Sequence, residues 1–314
     1  MIQESPMLSS SNLKYPPSGK PRKANRHEVK ESPKISELLP NTFSVSNLIV
    51  TGTDPLIFSA RVLLLEEAQM LPIIEDLKPK IDPETKVRKY ATIGGYSFLE
   101  SIFRAQPSDY HKILWSRCAD MPTWIGSVRF SNTLEELLKV FENTKFGDVV
   151  VEDQNNEKQA LVSLEEVVSL YRVARISSDL RAVDVGSKKI SISSDSTISE
   201  CLRLMFEKHV RRLFIPNGRD AKLEFVSARD LIRFLLSPER LELVKSEPEQ
   251  WLNEIMENVP GGEARSVADD VTINQASKLI GERIDDCLVC RESDKVVSRW
   301  DLVMKPWTRG KMVT

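Results

Sequence analysis

Apolar residues recur with a helical period in three separate stretches: Leu134, Leu137, Leu138 and Phe141; Ile198, Cys201, Leu202 and Met205; and, less strictly, Ile273, Ala276, Leu279 and Ile280. Such spacing puts one apolar stripe on one face of a helix. Each stretch begins with a capping box, Thr133-x-x-Glu136, Thr197-x-x-Glu200 and Thr272-x-x-Gln275. In that box the threonine oxygen accepts the amide three residues on, and the Glu or Gln reaches back to the cap amide. Three helices with defined starts are therefore expected.

A second pattern follows each of them and also occurs once earlier: two apolar residues, Ser or Gly, two variable residues, a polar residue, two apolar residues. The copies are Thr92-Ile93-Gly94-Gly95-Tyr96-Ser97-Phe98-Leu99 (with Thr first), Leu161-Val162-Ser163-Leu164-Glu165-Glu166-Val167-Val168, Phe225-Val226-Ser227-Ala228-Arg229-Asp230-Leu231-Ile232 and Val296-Val297-Ser298-Arg299-Trp300-Asp301-Leu302-Val303. Their polar anchors Ser97, Glu166, Asp230 and Asp301 are 69, 64 and 71 residues apart. That regularity marks an internal repeat. Cap threonine to anchor is 33 residues in the second and third copies and 29 in the fourth, whereas Leu56 to Ser97 in the first is 41, with the excess in the polar stretch from Glu75 to Lys89.

The third repeat shows the unit most clearly. A strand at Lys189-Ile190-Ser191-Ile192, the capped helix to about Lys208, a strand at Arg212–Ile215, a turn at Asn217-Gly218, a strand at 223–226 and a helix over 227–236 read as β-α-β-β-α. A three-stranded sheet with both helices on one face leaves its other apolar surface uncovered, so single units should pair. Four units make two pairs in a mixed α/β fold. The expected division is a tail at 1–34, a degenerate first repeat at 35–107, and further repeats at 108–176, 177–243 and 244–314.

Composition adds a soluble, cytoplasmic expectation: 314 residues, 41% hydrophobic and 29% charged, with no run of the roughly 18 apolar residues a membrane helix needs and no apolar leader at the start. The net charge of −2 hides a gradient, because residues 1–34 carry seven bases against three acids. With five prolines, six serines and little apolar surface, that tail is expected to be disordered. Its charge is either simply solvated or makes a weak contact with nucleic acid or an acidic partner.

Catalytic chemistry finds little support. Cys287-x-x-Cys290 lies in an apolar run that reads as a strand, and the nearest histidine, His209, is 78 residues before it, so a thiol pair rather than a zinc site is expected. His27, His111 and His209 offer no dyad with a nucleophile, and Ile93-Gly94-Gly95-Tyr96 is too short for a phosphate loop. Repeats and tail together are expected to use up the chain, so no fused catalytic domain is expected.

The fourfold pattern resembles the cystathionine β-synthase (CBS) domain, whose tandem pairs form Bateman modules. The third repeat carries the resemblance best, in Ile190-Ser191-Ile192, His209-Val210-Arg211-Arg212-Leu213 and Val226-Ser227-Ala228-Arg229-Asp230-Leu231, the last resembling the family's G-h-h-T-x-x-D signature. Val297-Ser298-Arg299-Trp300-Asp301-Leu302 in the fourth, the segment from Val128 to Val168 in the second and Leu71-Pro72-Ile73 in the first extend it over about residues 35–308. The resemblance implies a non-catalytic regulatory protein that binds AMP, ADP, ATP or S-adenosylmethionine between paired repeats and signals to a partner protein, with no cofactor required. It places Asp230 on the ribose hydroxyls, Ser227 near sugar and phosphate, Ile190, Ser191 and Arg212 around the base and Arg229 by phosphate, with Ser298 and Asp301 as a second site. Ser-x-x-Asp is also an ordinary helix start, so capping alone accounts for the same residues. Ser97 and Glu166 depart from the pattern, and Asp285 and Asp286, aligned with Arg211 and Arg212, would repel phosphate in the fourth repeat. A ligand-free scaffold is the alternative. Either a closed monomer or a homodimer through the Bateman modules is compatible with the sequence.

Overall fold

The computed structural model of the chain describes residues 32–38, 50–66, 68–74, 78–84, 86–153, 159–216, 224–281, 283 and 285–314. Residues 1–31 of the expected tail, the Asn217-Gly218 turn and Leu223 lie outside these.

The first, second and fourth repeats are built as β-α-β-β-α, and the third as an extended segment followed by α-β-β-α. The first runs through Val50–Thr51, Leu56–Leu65, Met70–Ile74, Arg88–Gly94 and Gly95–Phe103, and the second through Thr123–Arg129, Leu134–Thr144, Asp148–Glu152, Gln159–Ser163 and Leu164–Arg172. The third has Ile198–Glu207, Arg212–Ile215, Glu224–Ser227 and Ala228–Leu235 after its first extended segment; the fourth has Arg265–Val267, Ile273–Leu279, Leu288–Cys290, Lys295–Val297 and Arg299–Thr308. The Thr caps form as expected, with Thr133 Oγ1 accepting the Glu136 amide at 3.3 Å, Thr197 Oγ1 that of Glu200 at 3.2 Å and Thr272 Oγ1 that of Gln275 at 3.3 Å. Each closes orphan amides at a helix start and fixes where the helix begins.

One strand differs from expectation. Residues 189–192 do not form a regular strand; Ser187–Lys188 does, and it pairs with Lys295 and Val296 of the fourth repeat. Only a parallel bridge at Ser191 and Phe214, flanked by Phe214 N to Ile190 O and Ile192 N to Phe214 O at 2.9 Å each, joins the segment to its own repeat. The chain crosses from one repeat's sheet to the next here, so its hydrogen bonds are divided between them.

Repeats pair through their sheets. In the first module Arg88–Gly94 lies antiparallel to Thr123–Arg129, with Tyr90 opposite Ile125, which makes a seven-stranded sheet among the described residues. The second module is joined by two short ladders, Phe225 opposite Gly262 and Val296 opposite Ser187. Gly261 lets the first of these close, because a Cβ there would lie 2.4 Å from the Phe225 carbonyl oxygen.

The helices then bring the modules together. One buried cluster joins Leu56, Phe98 and Ile102 of the first repeat to Ile198, Leu202 and Leu231 of the third; another joins Leu137, Phe141 and Tyr171 of the second to Ile273, Leu302 and Val303 of the fourth. Trp251, fully buried between the third and fourth repeats, packs its ring 5.1 Å from that of Tyr110 and donates to Leu235 O. The helical faces of the two modules are thus spent on each other within one chain. A second copy docking on those faces would have to displace an internal apolar contact. Among the described residues no helix is long and apolar enough to cross a membrane.

Candidate functional site

The third-repeat anchor is buried and chemically occupied. Asp230, 3% exposed, accepts the Ser227 amide at 3.0 Å and the Ser227 hydroxyl at 2.7 Å on Oδ2, while Oδ1 takes Arg233 at 3.1 Å and Arg283 at 2.9 Å. Asp301 repeats this arrangement. Its Oδ2 accepts the Ser298 amide at 2.9 Å and hydroxyl at 2.6 Å, and its Oδ1 takes the Ser187 hydroxyl at 3.1 Å and Lys305 at 3.0 Å. Capping and cation pairing therefore use both carboxylates, and a ribose at either place would have to displace a cation.

Arg229 is not free for phosphate. It is buried, with Nε 3.2 Å from Asp285 and its two Nη atoms donating to Leu63 O at 3.0 Å and Ala68 O at 2.7 Å. Arg299 makes the matching tie in the fourth repeat, to Glu165 and, at 2.6 Å, to Gly281 O. Both arginines lash one module to the other. Arg212 donates weakly to Asp286 O at 3.4 Å, Ile190 is half-buried and Ser191 is exposed.

Strand register also corrects the alignment of the acids. Arg212 stands opposite Ser227, and Leu288 stands opposite Val297, so the residue matching Arg212 is Cys287 rather than Asp286. Asp285 faces the third repeat, where it also accepts the Ser227 hydroxyl at 3.3 Å. Cys287 and Cys290 are buried free thiols whose pKa values burial raises, that of Cys290 to about 11, which leaves them unreactive.

Open space that all four repeats border lies at the first repeat. A cavity of about 460 Å³ is bounded by Gly94, Gly95, Tyr96 and Ser97 of the first repeat, Thr123 and Phe146 of the second, His209, Arg211 and Ile232 of the third and Asp285 of the fourth. That size suits a small organic ligand. Helix Gly95–Phe103 starts here, and with glycine at its N-cap no side chain caps it, unlike the helices starting after Ser163, Ser227 and Ser298. Ser97 and Thr123 share a hydrogen bond of 2.6 Å. Arg211 bonds Gln69 Oε1 at 2.8 Å and lies 5.9 Å from the Tyr96 ring centre. Of the two acids at the wall, Asp285 is paired with Arg229 and Glu100 with Arg104. A polar rim and apolar flanks at Met70, Phe146 and Ile232 give the cavity an amphipathic lining.

Close by, Asp148 begins the second strand of the second repeat, 1% exposed. Burial and the Glu166 charge push its pKa up to about 7 against the opposing pull of Arg211. Burial also raises Glu166, whose bonds to Ser163 work the other way. A further hollow of about 510 Å³, walled by Phe58 and Trp115 on one side and by Leu241 of helix Pro238–Ser246 on the other, touches none of the four motifs. Among the described residues no group of His, Cys, Asp and Glu could hold a metal ion.

Sequence reasoning singled out His209 and Arg211 but not what they face. Their partners come from the other repeats, and Gly94-Gly95, dismissed as a phosphate loop, has its role through tertiary placement.

With fold and site in view, the comparisons define the class. Residues 182–237 match the family model of the CBS domain. That segment is a CBS domain, and the chain as a whole has a fold of four such repeats in two pairs, the Bateman-module arrangement. MJ1225 of Methanocaldococcus jannaschii, proposed as an archaeal homologue of g-AMPK, shares the fold over 87% of this chain and 99% of its own at 11% identity and a TM-score of 0.68. An uncharacterized conserved protein from Pyrococcus horikoshii covers 74% of this chain and 89% of its own, with 12% identity and a TM-score of 0.46. CBSX2 in complex with AMP covers 41% and 90%, with 21% identity and a TM-score of 0.31. No curated protein matches the chain.

Proposed function

We propose that this chain is a non-catalytic regulatory module that binds an adenine nucleotide or adenosyl ligand, AMP, ADP, ATP or S-adenosylmethionine, and passes the change to a partner protein. The observation that carries this reading is the cavity to which all four repeats contribute. A ligand there contacts both modules at once, so its binding energy bears on how they pack. Arg211 and the open helix start of Gly95–Phe103 suit a phosphate, with Ser97 and Thr123 as hydroxyl partners, and the apolar flanks suit a base. The adenine preference comes from the CBS resemblance.

The clefts at Asp230 and Asp301 are secondary sites in this reading, because ligand must first remove Arg283 from one or Lys305 from the other. Saturation of those two carboxylates is also what favours the ligand-free scaffold as a second reading. Thermal unfolding separates the two. A ligand at about 100 times its dissociation constant adds roughly 2.7 kcal/mol, a rise of several degrees. Such a rise with AMP, ADP, ATP or S-adenosylmethionine is expected; no rise with any of them, in folded protein, would favour the scaffold. Nucleic-acid binding through residues 1–34 would then be sought as an interaction that weakens steeply with salt.

A further inference from the structure

One oxygen of the Asp148 carboxyl is left unsatisfied among the described residues. The residue is 1% exposed, and the oxygen is Oδ2. A buried carboxylate left this way is costly. Two charged groups act on it from different elements: Glu166, on helix Leu164–Arg172 of the same repeat, and Arg211 of the third repeat, whose partner Gln69 Oε1 lies 3.3 Å from where a Cβ on the neighbouring Gly147 would stand. Glu166 opposes ionisation, and Arg211 alone of the two favours it.

Arg211 also lines the cavity, where its hydrogen-bond partner is the neutral Gln69 amide. One guanidinium therefore serves two places. A phosphate beside Arg211 would offset its charge as felt by Asp148, leaving the carboxyl with burial and Glu166. We propose that Asp148 takes up a proton when an anion fills the cavity beside Arg211, so that ligand binding at this site is linked to pH. The inference rests on the ligand reading above and adds its regulation. Filling the cavity and neutralising Asp148 then favour each other, as linkage requires.

Other charged groups stand near the strand, among them Glu142 and Lys145 at the end of helix Leu134–Thr144. Arg88 and Tyr90 interact with Glu152 at the far end of Asp148–Glu152, where Arg129 stands opposite that residue. On the packed helix Leu134–Thr144, Glu135 pairs with Lys139 and Glu136 caps Thr133. His209, Glu100 and Asp285 also line the cavity. For that reason the readout is the difference between wild type and Asp148→Asn.

Titration calorimetry of the full chain with AMP and with pyrophosphate, at pH 7 in buffers of different ionisation enthalpy, measures protons taken up per ligand. Wild type is expected to take up about 0.2–0.5 proton more than Asp148→Asn, and the variant should still bind. Asp148→Ser, equally neutral, provides a second variant with the same expected difference. Equal uptake in wild type and variants would overturn the linkage while leaving nucleotide binding intact. Pyrophosphate binding with the expected difference, but no AMP binding, would sustain the linkage and sink the adenine reading. Binding of neither would remove both.

Discussion

Asp148→Asn is expected to gain on the wild type as pH rises, by about 2–3 kcal/mol between pH 5 and pH 8, or roughly 5–10 °C in Tm. The sign follows from the raised pKa, about 7 in the folded chain against 3.8 for an ordinary aspartate. A folded state that holds its proton more tightly than the unfolded state loses stability as pH climbs from about 4 to about 7. Above that window the loss is complete, and the charged carboxylate sits buried with Glu166 nearby. Asparagine keeps the shape without the charge. Thermal unfolding across pH 5 to pH 8 checks it, and a difference that stays constant with pH would show that Asp148 ionises like an exposed aspartate.

Arg229→Ala is expected to destabilise the protein by about 3–5 kcal/mol, the scale for breaking a buried pair by removing one partner. The change leaves Asp285 without its guanidinium and strips Leu63 O and Ala68 O of their donors. Arg299→Ala should lose a comparable amount, since it ties Glu165 and Gly281 O across the other pair of repeats, away from the cavity. Denaturant unfolding of both variants tests this. An Arg229→Ala protein as stable as wild type but unable to bind nucleotide would restore the phosphate role that its burial argues against.

Local features were legible in the sequence because their physics is local. Thr133, Thr197 and Thr272 cap helices through residues three positions away, and the Ser-x-x-Asp starts at Ser227 and Ser298 do the same. Pairing of repeats followed from the uncovered sheet face. The split of the third repeat's first strand did not, because Ser187–Lys188 finds its partner more than a hundred residues away at Lys295 and Val296. Likewise Asp285 and Asp286 were misaligned by one residue, since register is set by cross-strand pairing and not by spacing along the chain.

The candidate site was half legible for the same reason. Ser227 and Asp230 stand in the positions the motif assigns, yet whether a carboxylate is open to a ligand depends on Arg283, 53 residues away. Asp148 opens the Val-rich strand Asp148–Glu152. Its burial is produced by packing of several elements and leaves no mark on its neighbours in sequence. The cavity at Ser97 and Arg211 exists only once both modules have docked.

AMP titration of wild type, Arg211→Ala and Asp230→Asn tests the central claim most directly, namely that ligand enters the cavity at the first repeat. Arg211→Ala should weaken binding by about 10- to 100-fold, from loss of a charged hydrogen bond worth roughly 1.5–3 kcal/mol, while Asp230→Asn, which keeps a capping oxygen, should bind almost as wild type. Full affinity in Arg211→Ala with binding lost in Asp230→Asn would place the ligand in the third-repeat cleft and contradict the account.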